Sequence, residues 1–300
     1  MKLSIGLADI AETMRLNRLW IFWGWLDIRQ KYRRSILGPF WVTMTMGISI
    51  LATGLVYAYL FKQDLKTYMP YVASGSVLWS FITGYVGEAC SVFIQNEGFI
   101  NQLRMPFAIY PVRLLWRYIV IFLHHSVVLI IVLALFSPIS FAAMMAALAG
   151  MVLTSINLFW MGVVLGLISV RIRDLPILIA TIFQVMFFVT PVIWPAKALG
   201  DKAQIALLNP FYHLLEVVRS PLVEGIVPLV TPRFGDISDG CCRLHSCRGS
   251  SLFLSSSISL LVMSNFIKLI NLSIAYPFRD PEAYSLRGRI IRNFRVGGRV

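Results

Sequence analysis

Few side chains in this sequence could carry out acid–base, nucleophilic or metal chemistry. His124 and His125 are adjacent within an apolar stretch. On a helix their side chains point about 100° apart, so they cannot both face one site. Neutral, hydrogen-bonded packing is the first interpretation of this pair, and a proton relay is the second. Cys241, Cys242 and Cys247 cluster, but without the spacing of a zinc site.

Familiar catalytic and nucleotide-binding motifs are absent from the sequence. It contains no GxxxxGK[ST] phosphate loop, no HExxH and no GxSxG, and no pair of carboxylates lies within an apolar run. We therefore expect no catalytic centre, no bound metal and no resident cofactor in this chain.

Cationic residues are the remaining chemically active group. The net charge is +13, and the charge brackets apolar runs. A nucleic-acid-binding protein would carry such charge on one folded surface, so we expect no nucleic-acid partner. The cations that flank the apolar runs are Arg29, Lys31, Arg33, Arg34, Arg104, Arg113, Arg117, Arg171 and Arg173.

The apolar runs indicate an integral membrane protein. The chain has 300 residues and is 58% hydrophobic but only 14% charged, whereas soluble proteins carry about 25% charged residues. A bilayer-spanning helix needs about 20 mostly apolar residues. Five runs are convincing spans, at residues 40–61, 70–94, 112–136, 141–170 and 177–194. A weaker sixth candidate is split between residues 226–230 and 252–262 by a polar segment.

The distribution of positive charge predicts the orientation of these spans. If the spans alternate in direction, all three basic segments fall on one side of the membrane. The loop at residues 137–140 has no charge, and the loop at residues 62–69 is nearly balanced. The positive-inside rule therefore places the N-terminus in the cytoplasm.

Three tryptophans precede the first span. Trp20, Trp23 and Trp25 lie among apolar residues in a stretch that is too short to cross a bilayer. Because tryptophan favours the membrane interface, we predict an amphipathic interfacial helix. It is expected to end at Gly38-Pro39, where the chain turns into the bilayer. A generic membrane anchor is the alternative.

The basic loop after the second span has the pattern of a short helix. Asn96 is placed to cap it, and Pro106 is placed to end it. Docking to a partner and packing on the chain's own bundle both remain open for its apolar stripe. That stripe would consist of Phe99, Ile100 and Leu103.

Two later segments are shorter than a span. At residues 171–176, Asp174 is placed to start a helix with Pro176 in its first turn, although an ordinary charged turn is the alternative. Residues 201–208 and 211–220 predict two short helices on the outer face, which either re-enter the membrane or form an extracellular cap.

Four segments of the sequence occur in an order that is typical of one family. They are DIRQKYRRSILGPFW (residues 27–41), RIRDLP (171–176), TPVIW (190–194) and NPFYHLLEVVRSPL (209–222). Together they resemble ABC-2-type permeases that export polysaccharides such as O-antigen, capsule or teichoic acid. The resemblance covers about Trp20 to Gly225.

The resemblance implies a fold, a location and partners. The chain would be an all-α integral membrane protein of about six transmembrane helices, with the N-terminal interfacial helix and short periplasmic re-entrant helices. It would form a homodimer around a channel in the bacterial inner membrane. ATP and Mg would be bound by a separate ATPase subunit, and the cargo would be a lipid-linked polysaccharide.

Site residues follow from the same resemblance. The gate helix near the channel entrance would contain Trp20, Trp23, Trp25, Arg29, Lys31, Arg33 and Arg34. Its cations would also be placed to bind the diphosphate of the lipid. The coupling helix that contacts the ATPase would contain Asn96, Glu97, Phe99, Ile100, Leu103 and Arg104. A second, smaller ATPase contact would contain Arg171, Arg173 and Asp174.

Aromatic rings are suited to a sugar channel because they stack on sugar rings with few directional bonds. We expect fewer than half of the candidates to line the channel and the others to face lipid or to pack. The candidates are Tyr57, Tyr59, Trp79, Phe81, Tyr85, Phe159, Trp160, Phe187 and Phe188.

The resemblance weakens after Gly225. From Met263 onward the sequence alternates like a strand and resembles the start of an ATPase subunit. We interpret this as a reading-frame disruption near residues 228–233; a divergent sixth span with a basic tail is the alternative. The predicted organisation is a cytoplasmic N-terminus (1–38), a transmembrane domain (39–262) and a basic tail (263–300).

Two other functional classes predict different behaviour. A secondary transporter or channel would work without ATP, and it would be expected to contain more buried charge or paired broken helices. A membrane-bound enzyme would need a catalytic cluster, which the sequence lacks. Dependence on an ATPase separates the permease from both alternatives.

Overall fold

The computed structural model describes residues 3–33, 35, 38, 40–137, 140–196, 206 and 209–225. Every regular element in these ranges is an α-helix, which confirms the all-α prediction for this part of the chain. The weak sixth span, the predicted helix at residues 201–208 except residue 206, the basic tail and Arg34 lie outside the described residues. The helices are α1 (Leu3–Arg15), α2 (Asn17–Lys31), α3 (Phe40–Leu60), α4 (Leu65–Ala89), α5 (Val92–Gln95), α6 (Glu97–Gln102), α7 (Ile109–Phe136), α8 (Phe141–Arg171), α9 (Leu175–Val189) and α10 (Pro210–Glu224).

Three of the described helices are long and apolar enough to cross a membrane, namely α3, α7 and α8. They coincide with the first, third and fourth predicted spans. The second predicted span, residues 70–94, is divided in the structure. Helix α4 ends at Ala89, and the short helix α5 follows as a separate element.

The fifth predicted span, residues 177–194, is shorter than expected. Helix α9 ends at Val189, and residues 190–194 leave the helix. Pro191 has no N–H to donate to a continuing helix, so the break has a local cause. Unpaired carbonyls in this segment would be costly at membrane depth. Two tyrosines of α4 bind several of them: Tyr68 donates to Ile193 O at 2.9 Å, and the single hydroxyl proton of Tyr71 is shared between Pro191 O and Trp194 O, each 3.0 Å from its oxygen.

Helix α10 begins and ends where the sequence provides signals. Asn209 accepts a hydrogen bond from the Phe211 N–H at 3.0 Å, and Pro210 occupies the first turn. Gly225 ends the helix with φ of 65°, a conformation that glycine adopts without strain. The helix therefore contains the predicted short helix at residues 211–220 and extends it at its C-terminal end.

Helix α4 lies at the centre of the bundle and packs against α3, α7, α8, α9 and α10. Most of its residues are buried, including Tyr85 and Ile82. Two glycines allow the close approach of neighbouring segments. A Cβ at Gly75 would lie 2.4 Å from the Val192 carbonyl oxygen, and one at Gly162 would lie 2.6 Å from the Tyr85 hydroxyl.

The bundle has two ends that differ in charge. At the end that we call the basic end, α2 lies against the start of α7, and the end of α4 and helix α5 lie against the last turns of α8. The opposite end, which we call the far end, contains the start of α4, residues 190–196 and α10. Large apolar side chains on α3, α8 and α9 are exposed between the ends, as expected of a multi-pass membrane protein.

Candidate functional site at the basic end

Helix α2 corresponds to the predicted interfacial helix and packs across the start of α7. Trp20 contacts Trp116 edge to face, with ring centroids 6.0 Å apart. A Cβ at Gly24 would lie 2.8 Å from the Trp116 ring, so glycine permits this close contact. Trp25 is exposed. The expected end of the helix at Gly38-Pro39 is wrong, because α2 ends at Lys31, where Tyr32 and Arg33 form a turn.

An ion-pair network joins α2 to α7 and α4. Asp27 accepts two hydrogen bonds from Arg113, from Nε at 2.8 Å and from Nη2 at 2.6 Å. Arg117 lies 3.9 Å from the same carboxylate and also pairs with Glu88. Tyr118 donates a hydrogen bond to Glu88 at 2.7 Å. The bidentate geometry fixes the rotation of α2 on α7, which a single point contact would not do.

The short helix predicted after the second span is present as α6, which is shorter than expected. It covers Glu97–Gln102, so Leu103 and Arg104 follow the helix. Asn96 precedes it but does not cap it, because its amide donates to Val92 O at 2.7 Å. Ile100 packs against the core. Phe99 and Leu103 are 50% and 42% exposed, so two apolar side chains remain available at the surface of this segment.

Residues 97–108, which we call the coupling segment after the role predicted for them, contact α2 directly. The rings of Trp23 and Phe99 are 6.0 Å apart. Trp23 also lies under the Arg113 guanidinium, which is 5.3 Å from the centroid of its ring. A cation–π contact of this kind contributes about 0.5–1 kcal/mol at an exposed site. Trp23 therefore links α6, α2 and α7.

The second predicted contact lies between α8 and α9. Arg171 is the last residue of α8, and Asp174 is the residue that precedes α9. Pro176 lies in the first turn of α9 as predicted, but the Asp174 side chain makes no capping hydrogen bond. Arg171, Arg173 and Asp174 are all exposed. Glu97 and Arg104 are exposed as well.

The structure divides the candidate channel aromatics into two groups. Trp79, Phe81, Tyr85, Phe159 and Trp160 are buried in the bundle, where Trp79 packs against Phe183, Phe187 and Phe211. Tyr57 and Phe187 are partly buried. Tyr59 and Phe188 are 90% and 69% exposed. The buried rings fill space between helices in this conformation, and the channel role of the exposed pair stays a prediction.

Asp9 on α1 is a residue that the sequence interpretation missed. Its carboxylate accepts hydrogen bonds from the N–H groups of Phe107 at 2.9 Å and Ala108 at 2.8 Å, directly before α7. Burial raises the pKa of the Asp9 carboxyl, and the two N–H donors counteract part of that rise. The available signal was a carboxylate between two apolar residues in a mostly apolar helix whose other acidic residue is Glu12.

A second missed group lies at the far end. Arg219 on α10 is 1% exposed, pairs with Glu216 and donates to Pro191 O at 2.7 Å. Its guanidinium lies 4.1 Å from the centroid of the Tyr71 ring. Asn209 donates to Thr190 at 2.7 Å in the same region. The signal was an arginine three residues after a glutamate within an apolar helix.

A comparison with protein families identifies the family of this chain. The model of the ABC-2 type transporter family matches residues 19–223, which include nearly all of α2 and almost the whole of α10. The chain belongs to the ABC-2 type transporter family. It is therefore a membrane-embedded transport subunit. The residues predicted for the gate helix and for the coupling helix meet at its basic end.

A curated relative of this ABC-2 chain has a named activity. The chain is 20% identical over 210 residues to the O-antigen export system permease protein RfbA of Myxococcus xanthus. The match covers 69% of this chain and 80% of the relative. Helix α1 lies outside the residues that the family model matches.

Proposed function

We propose that this chain is the permease subunit of an ABC transporter that exports a lipid-linked polysaccharide across the inner membrane. A separate ATPase subunit would supply the energy. The observation that carries the proposal is the exposed apolar pair Phe99 and Leu103 at the basic end of an ABC-2 family member, where Phe99 contacts Trp23 of α2. The named activity of the Myxococcus xanthus relative supports a polysaccharide cargo.

The coupling segment has the composition of a protein-binding surface. Phe99 and Leu103 give it an apolar centre, and Glu97, Arg104, Arg171 and Arg173 supply exposed charges at the same end of the bundle. Apolar centres surrounded by charged groups are typical of protein interfaces. The basic end would therefore face the cytoplasm, where an ATPase subunit can bind, and the N-terminus would be cytoplasmic.

The cationic end of α2 is proposed as the site for the lipid diphosphate. The Asp27 carboxylate binds Arg113 of α7, so it does not pair with the cations in the last turn of α2. Arg29, Lys31 and Arg33 are exposed and form no ion pair with any residue that the structure describes. Cations at a helix C-terminus also interact favourably with the helix dipole. Stabilisation of α2 is therefore the structural alternative to binding of the diphosphate.

The exposed apolar faces support the proposed homodimer. Helix α9 exposes Ile177, Leu178, Ile182, Val185 and Phe188 along most of its length. Two copies of the chain would enclose a channel, and Tyr59 and Phe188 are the exposed aromatics placed to contact a sugar chain within it.

The test of this proposal is complex formation with an ATPase. The chain should be co-expressed with the ATPase subunit of a polysaccharide ABC exporter, purified in nanodiscs and assayed for MgATP hydrolysis. We expect a stable complex. We also expect the double substitution Phe99→Asp and Leu103→Asp to weaken binding by about 100-fold, because each charge is forced into an apolar contact at a cost of about 1–2 kcal/mol.

The control variant is Gln63→Asp, which adds a charge at an exposed position of the far end. It should bind like the unmodified chain. Transport of the cargo in proteoliposomes that contain this chain but no ATPase would contradict the proposal and would favour a secondary transporter or channel.

A further inference from the structure

Helix α1 contacts the segment at residues 103–108, which joins α6 to α7. Its contact with that segment is the Asp9 carboxylate, which accepts one hydrogen bond from Phe107 N–H and one from Ala108 N–H. The residue before α7 is Ala108, whose methyl group cannot cap a helix. The acceptor at this helix start therefore comes from a different helix, almost 100 positions earlier in the chain.

Electrostatic interactions stabilise the contact between the Asp9 carboxylate and the two N–H groups before α7. Bonds between a carboxylate and two N–H groups are stronger than neutral hydrogen bonds. A negative charge near the start of a long helix also interacts favourably with the helix dipole. Asp9 is partly buried, so its desolvation is compensated by these two bonds.

Helices α1 and α2 are joined stiffly. The Leu16 N–H donates to Glu12 O at 3.1 Å across the junction. The Trp20 indole N–H donates to Thr13 O at 3.1 Å, and the Thr13 hydroxyl donates to Asp9 O at 2.8 Å. Thr13 itself is fully buried. A displacement at Asp9 is therefore transmitted to Trp20 without a flexible linker between them.

The coupling segment is held at two points by this α1–α2 unit. Near its beginning, Phe99 packs against Trp23 of α2. At its end, residues 107 and 108 bind Asp9 of α1. A segment held at one point can pivot, whereas a segment held at two points moves together with the body to which it is attached.

We propose that Asp9 is a positioning residue that binds the coupling segment to α1, so that α6 and the gate helix α2 move together. The inference rests on the proposed function, because it requires an ATPase that displaces α6. It assigns a role in energy transfer to α1, which lies outside the family match.

Pulsed electron paramagnetic resonance on the permease–ATPase complex in nanodiscs tests this inference. The cysteines Cys90, Cys241, Cys242 and Cys247 are first replaced by serine. Spin labels are placed at the exposed positions Phe22 on α2 and Asn101 on α6, with a second pair at Asn101 and Gln63. Distances are measured without nucleotide and with ADP–vanadate.

We expect trapping to change the Asn101–Gln63 distance and to leave the Phe22–Asn101 distance unchanged. With Asp9→Ala, the Phe22–Asn101 distribution should become roughly twofold wider, because one of two attachments is lost. Asp9→Asn keeps one acceptor oxygen and should give an intermediate width. Arg15→Gln removes an exposed charge at the end of α1 and should have no effect.

The inference is overturned if Asp9→Ala leaves the Phe22–Asn101 distribution unchanged, or if α2 and α6 already separate on trapping in the unsubstituted complex. If the alanine variant is not recovered as a monodisperse protein, the asparagine variant decides in the same way. The measurement on the nucleotide-free permease alone needs no ATPase. Failure of the proposed function would instead appear as an Asn101–Gln63 distance that does not respond to nucleotide.

Discussion

Arg219 shows how one buried cation can hold an irregular segment in place. Its guanidinium contacts a carboxylate, a carbonyl and an aromatic ring that belong to three parts of the fold: α10, residues 190–194 and α4. Arginine suits this role because its planar fork can bind two acceptors and stack on a ring at the same time. The break after α9 is consequently a fixed feature of the far end.

The first prediction concerns this arginine. Arg219→Gln leaves Glu216 without its cation and Pro191 O without that donor, so we expect a loss of about 3 kcal/mol of stability. The thermal denaturation midpoint, followed by fluorescence-detected size-exclusion chromatography in detergent, should fall by several degrees. Arg171→Gln changes an exposed arginine and should leave it unaltered. An unchanged midpoint for Arg219→Gln would show that the buried contacts contribute little.

At the scale of elements, α2 has one face that packs on α7 and one face that is exposed. One face is fixed to α7 by Asp27, Trp20 and Gly24. The other exposes Trp25 and the cations near its C-terminal end. The ion pair with Arg113 lets α2 pack on the basic start of α7 while its C-terminal cations stay exposed.

The second prediction tests whether those cations bind a diphosphate. The triple substitution of Arg29, Lys31 and Arg33 by glutamine removes three charges, each contributing about 1 kcal/mol near an anionic surface. The Kd for a polyprenyl diphosphate in nanodiscs should therefore rise by about 100-fold. It can be measured by quenching of the tryptophan fluorescence.

A matched control removes cations from the same end of the molecule. Arg15→Gln with Arg18→Gln neutralises two exposed residues outside the proposed site and should change the Kd by less than about threefold. Equal weakening by both sets of substitutions would show that the attraction is a general effect of surface charge. An unchanged Kd for the triple variant would rule out the site.

At the scale of the whole molecule, the separation of the two ends predicts the orientation in the membrane. The exposed cations and the coupling segment lie at the basic end, and the positive-inside rule assigns that end to the cytoplasm. Labelling at residues of the two ends therefore distinguishes the two possible orientations.

The third prediction uses single cysteines in a chain whose native cysteines are replaced by serine. A membrane-impermeant maleimide applied to spheroplasts should label Gln63→Cys and should label Met14→Cys and Arg171→Cys only after permeabilisation. A cysteine at Val77, which is fully buried, is the negative control. Labelling of Met14→Cys in intact spheroplasts would reverse the orientation.

The sequence by itself determined the helical class, the positions of α3, α7 and α8, and the basic segments. These depend on composition and on runs of about 20 apolar residues, which are local properties. It also located α6 and α10 through their proline and asparagine boundaries, although the Asn96 cap was wrong because that amide bonds to Val92 instead. The role of each candidate site residue stays a prediction.

Only the tertiary structure decided which side chains meet. Asp9 binds residues 107 and 108, and Asp27 binds Arg113, across separations of more than 80 residues. No local pattern encodes such a pairing, because it depends on how α1 and α2 cross α7. The same reason explains the aromatics: sequence shows where the rings are, but helix packing determines that Trp79 and Tyr85 are buried while Tyr59 and Phe188 are exposed.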